Sequence, residues 1–134
     1  MATQASGTFE VKLNPLSLND TTENSMLARL SIDKQFHGDL EATSKGEMLS
    51  AGTSVEGSAG YVAIERVTGK LHNRTGSFVL QHSATMNRGV PQLSITVVPD
   101  SGTDQLTGLA GKMNINIVEG KHFYEFEYTL TEAS

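Results

Sequence analysis

The chain has 134 residues, a formal net charge of −5 and no cysteine, the size of one domain with one hydrophobic core. The acidic balance and the scattering of its ten Lys and Arg give no field for a polyanion, so nucleic acid is not an expected partner. Without cysteine there is no disulfide, thiolate metal site or thiol nucleophile. No apolar run approaches the roughly 18 residues of a membrane span, and the first residues have neither a basic start nor an apolar stretch. The expectation is a single domain over residues 1–134, with its core at about 7–130, in the cytoplasm and without a membrane partner.

Residues 8–13 alternate strictly, with Phe9, Val11 and Leu13 on one face and Thr8, Glu10 and Lys12 on the other, the period-two signature of a half-buried strand. Pro15 and the polar residues after it predict an exposed loop over 14–25. Alternation resumes over 26–36 and stops at His37-Gly38-Asp39. A three-residue turn there sets Phe36 opposite Leu40 and Lys34 opposite Ala42. The small residues of 49–58 predict a further loop.

Strands follow at 61–68 and 77–86. A turn centred on Asn73-Arg74 pairs Ala63 with Ala84, Glu65 with His82, and Val67 with Leu80, keeping apolar face on apolar face. Leu93, Ile95 and Val97 mark another strand, ended by Pro99, and the Gly-rich stretch 101–111 reads as a short helical turn. Glu119-Gly120 then supplies a two-residue turn, setting Ile117 opposite His122, Ile115 opposite Tyr124, Met113 opposite Phe126 and Lys112 opposite Glu127. About eight strands joined mainly by hairpins predict an all-β domain, a closed antiparallel meander barrel with a two-layer sandwich as the alternative.

Several ordered motifs are familiar: Lys34-Gln-Phe36-His-Gly38-Asp-Leu40, Gly60-Tyr61-Val-Ala63-Ile-Glu65, Gly76-Ser-Phe78-Val-Leu80-Gln81-His82, Ser101-Gly-Thr103, and His122-Phe-Tyr124. They resemble a family of small uncharacterised bacterial proteins whose barrel is similar to that of allene oxide cyclase. The resemblance spans about 7–130 and implies a closed barrel, in a homo-oligomer, without carrying over any site residue.

Seven polar residues share the parity of the apolar face of their strands: Lys34, Tyr61, Glu65, His82, His122, Tyr124 and Tyr128. Glu65 and His82 are the candidate catalytic pair, since a carboxylate orients an imidazole and raises its basicity; the bland reading is a hydrogen-bonded pair that fixes register. Lys34, Tyr61, His122, Tyr124 and Tyr128 are candidate ligand-binding residues, against core filling for the aromatics and an ion pair with Glu65 for Lys34. His82, His122 and Glu65 have no metal-site spacing, so no metal and no cofactor is expected. Ser101-Gly-Thr103 lacks the rest of a phosphate loop.

The leading expectation is a barrel that binds an apolar small molecule carrying one polar group. The alternatives are an isomerase or cyclase of lipid-like or polyketide-like compounds, with Glu65 and His82 moving a proton and Tyr124 stabilising oxygen charge, and an interaction or assembly protein.

Overall fold

The computed structural model describes residues 2–20, 22–23 and 25–131. Eight antiparallel strands close into one barrel in sequence order: β1 (Thr3–Leu16), β2 (Leu27–Gly38), β3 (Leu40–Gly52), β4 (Ala59–Leu71), β5 (Arg74–Asn87), β6 (Val90–Val97), β7 (Leu109–Val118) and β8 (Lys121–Leu130). A single 3₁₀ turn, Asp104–Leu106, lies between β6 and β7. No helix among the described residues is long and apolar enough to cross a membrane.

The strands overrun the expected bounds. β1 begins at Thr3 and continues through Pro15 to Leu16, and Leu49–Gly52 extends β3, so the expected loops shrink to the residues after Leu16 and to Thr53–Ser58. Thr21 and Asn24, inside the first of these loops, lie outside the described residues. Each extension is held by a partner strand: Thr3–Ser6 by β8, Asn14–Leu16 by β2, and Leu49–Ala51 by both β2 and β4.

Two registers also differ from expectation, each by two residues. In the β2–β3 ladder Phe36 faces Ala42 and Lys34 faces Ser44. Between β4 and β5 the turn is His72-Asn73, which brings Glu65 opposite Leu80 and His82 opposite Ala63. Both turn residues have positive φ, 47° and 68°, the left-handed pair a two-residue hairpin loop demands. Arg74 was expected in that turn and instead opens β5. Because both displacements are even, every inward residue stays inward. The β7–β8 register follows the sequence expectation throughout, with Glu119 and Gly120 at φ 50° and 79°.

The two ends of the barrel differ. One end is filled by Leu40, Leu71, Phe78, Leu80, Leu106, Leu109, Phe126 and Tyr128, all buried. Beyond β6, side chains take over as partners of β5: Gln105 Oε1, Thr103 Oγ1 and Ser101 Oγ accept from the N–H groups of Thr75, Ser77 and Val79 at 2.8, 3.0 and 3.0 Å. The Ser101-Gly-Thr103 stretch is therefore a plug that seals this end and carries Leu106 into the core. At the other end the inward positions stay open: Leu13 is 45%, Met86 40%, Leu93 42% and Ile117 65% exposed. The wall is also incomplete there, because β6 and β7 share one residue pair, Thr96 with Lys112, before they diverge.

Candidate functional site

Glu65 sits at mid-barrel on β4, its side chain fully buried. Three donors converge on it. Lys34 Nζ from β2 lies 2.7 Å from Oε2, His82 Nε2 from β5 lies 2.5 Å from Oε2, and the Ser44 hydroxyl from β3 donates to Oε1 at 2.7 Å. The Lys34 ammonium also stands over the rings of Phe9 and Phe36, 5.0 and 5.7 Å from their centroids, so aromatic faces supply part of the solvation that water would give.

Backbone makes room for this cluster at Gly46, which faces Glu65 across the β3–β4 ladder. A side chain there would drive into the Ile64 carbonyl and the Glu65 Cα, so β3 can approach Glu65 closely only with glycine in that place. Ser44, one inward position away, is thereby brought onto the carboxylate.

Burial pushes the Glu65 carboxyl up, but the His82 hydrogen bond, the Lys34 charge, the charge of His82 and the Lys34 hydrogen bond together outweigh it and hold the group down at about 2. Glu65 is therefore ionised at neutral pH and acts only as an acceptor. An acceptor-only carboxylate takes its hydrogen bond from His82 Nε2–H, and Nδ1 is the ring's other nitrogen. Among the described residues Nδ1 has no hydrogen-bond partner.

Tyr61 is half-buried beside it, the two ring centroids 6.4 Å apart. Its hydroxyl makes no hydrogen bond, and its pKa is raised by burial and then by the Glu65 charge. His122 is half-buried at the rim, its ring tilted 43° against Phe9 with centroids 5.0 Å apart, and does not touch Glu65. Val11, Phe9, Lys121 and His122 line a concavity of about 500 Å³ where β8 parts from β1.

Of the seven residues singled out by parity, Lys34, Glu65 and His82 form one bonded unit, with Tyr61 and then His122 above it. Tyr124 and Tyr128 stand apart from that unit. The Tyr124 hydroxyl accepts from the Leu40 N–H at 2.9 Å and donates to the His37 carbonyl at 3.0 Å, with Gly7 keeping its space free. Tyr128 Oη lies 2.6 Å from His72 Nδ1 at the sealed end. Both hydroxyls are engaged away from the Glu65 unit, that of Tyr124 on backbone groups and that of Tyr128 on His72. The direct opposition expected of Glu65 and His82 is also corrected: they are diagonal neighbours, and long side chains span the extra distance. Ser44 was missed because a serine on an inward face carries no sequence signal of its own.

Burial, reinforced by Asp39 and Glu41 against the Leu40 hydrogen bond, pushes the Tyr124 hydroxyl to about 12. Tyr124→Phe is expected to cost about 1–3 kcal/mol by stranding the Leu40 N–H. Chemical denaturation measures it, and a loss below about 0.5 kcal/mol would show that water replaces the phenol.

Residues 5–128 match the family described as "Protein of unknown function (DUF3224)". A crystal structure of a protein of unknown function from that family, from Shewanella oneidensis MR-1, is 52% identical and superposes with a TM-score of 0.94, over 99% of this chain and 100% of the other. No curated protein matches. With the match spanning nearly the whole barrel, the chain belongs to the DUF3224 family of proteins of unknown function.

Proposed function

We propose that this protein is a small-molecule-binding barrel, taking an apolar ligand with one polar group through its open end. The observation that carries this reading is the asymmetry of the interior. Apolar inward residues are left partly exposed at one end, while a buried ionic unit of Lys34, Glu65 and His82 lies at mid-barrel. Pockets of this kind pair apolar walls with a few polar groups that fix orientation. The gap between β6 and β7 lies next to Ile95, the partner of His82 across the β5–β6 ladder, and offers a lateral way in. Kinship with the allene oxide cyclase barrel is proposed in the same spirit and agrees with an apolar lumen.

The test uses anilinonaphthalene sulfonate as an apolar probe. Saturable binding is expected at one site per chain, and Ala84→Trp, which fills the half-buried inward position between Tyr61 and Leu93, is expected to weaken it about tenfold or more. Ile64→Lys on the outer wall should leave it unchanged. Binding that follows Ile64 and ignores Ala84 would refute the lumen as the site.

Assembly is a second reading, favoured by an outer groove of about 820 Å³ on β2–β4 that carries exposed Leu27, Leu49, Val62 and Ile64. A contiguous apolar surface of that kind suits a second copy of the chain. Sedimentation of wild type against Ile64→Lys tests it, with a monomeric wild type refuting it.

A further inference from the structure

We propose that the lumen performs proton-transfer isomerisation, with His82 Nδ1 as the base and Tyr61 Oη as the donor to substrate oxygen, on a ligand that is an unsaturated carbonyl compound. The inference rests on the ligand-binding reading and deepens it.

The arrangement of His82 carries the argument. Its Nε2 is bound at 2.5 Å to a carboxylate that Lys34 and Ser44 also hold, so ring orientation and tautomer are both set before any ligand arrives. A histidine serving only to fix register would have no need of a second nitrogen without a hydrogen-bond partner among the described residues. The buried carboxylate behind the ring stabilises the imidazolium once Nδ1 takes a proton, as the acid of a catalytic pair does. Lys34 in turn keeps that carboxylate charged. The Tyr61 ring lies 6.4 Å from that of His82, centroid to centroid, so a carbonyl oxygen bonded to its hydroxyl would set the adjacent carbon near His82.

The step closes on itself. His82 Nδ1 removes a proton from the carbon between the carbonyl and the β,γ double bond, and the C–H electrons form a new double bond to the carbonyl carbon. The carbonyl π electrons move to oxygen, giving a dienolate held by the Tyr61 hydroxyl. The imidazolium then returns the proton to the γ carbon, the double bond moves into conjugation, and the carbonyl is restored. No oxidant, reductant or second substrate is consumed. Apolar walls of Ile95, Leu93 and Ile115 suit the hydrocarbon part of such a molecule.

His82 and Tyr61 are thus catalytic residues, and Glu65 is a positioning residue that acts through His82. The probe is β,γ-unsaturated cyclohexenone in deuterated buffer, with binding followed by saturation-transfer NMR and conversion by appearance of the deuterated conjugated enone. Wild type is expected to exceed buffer by about 10²–10⁴-fold. Tyr61→Phe should lose about 10²-fold or more while still binding the probe. His82→Ala should lose the activity and regain part of it with added imidazole, a rescue that a purely structural histidine would not show. Nitrogen NMR should find Nε2 protonated and Nδ1 bare in wild type, and a mixture of tautomers in Glu65→Gln. Binding without conversion above buffer would overturn proton transfer and leave the binding reading intact. Absence of binding in the lumen would overturn both.

Discussion

Glu65→Gln is expected to lower the unfolding free energy by about 3–5 kcal/mol, the cost of leaving a buried charge without its partner. The substitution preserves shape and keeps an acceptor for His82, but it removes the carboxylate bonded to Lys34, whose side chain is 7% exposed. Urea denaturation at neutral pH measures the loss. Adding Lys34→Met to Glu65→Gln should recover a substantial part of it, since the stranded ammonium is then gone and the Gln amide can still bond Ser44 and His82. A single-variant loss below about 1 kcal/mol would mean that Lys34 escapes to water along its stem and that the ion pair does not govern the interior.

The same carboxylate makes an acid-stability prediction with a definite sign. Its folded pKa of about 2 lies below the ordinary value of 4.5. A group depressed in this way contributes stability that is fully present above the unfolded value and is lost as pH falls toward the folded one. Wild type should therefore lose a few kcal/mol more than Glu65→Gln between about pH 4.5 and 2. Taking the difference between the two proteins removes the contribution of exposed carboxylates such as Glu47, which keep the same partners in both. Parallel acid profiles would contradict an ionised, buried Glu65.

Phe126→Ala is the second large effect, expected at about 3–5 kcal/mol. Its ring is fully buried at the sealed end. It stacks on Phe78 with centroids 5.8 Å apart and planes 7° apart, and on Tyr128 at 5.4 Å. Plug residue Leu106 is held by hydrogen bonds of its own segment to β5, so the surroundings cannot collapse freely into the cavity. Ile117→Ala, at the open mouth, should cost under about 1 kcal/mol. Denaturation midpoints at constant slope compare the two, and equal losses would contradict a barrel packed at one end and open at the other.

Which face each side chain takes was legible in the sequence, because alternation along a strand is a local property. It survived two wrong registers, at Lys34 and at Glu65, since an even slip exchanges neighbours without exchanging faces. The β7–β8 register was legible too, as Glu-Gly matches a left-handed two-residue turn, whereas His72-Asn73 hides that conformation behind ordinary side chains. What only the tertiary structure decided is which inward groups meet. Ser44, Lys34, Glu65 and His82 come from four consecutive strands, and their convergence depends on register across three ladders together with the close approach at Gly46. The sealed end, the gap between β6 and β7 and the separation of Tyr124 from Glu65 likewise follow from closure of the barrel, a constraint on all eight strands at once that no short stretch of sequence contains.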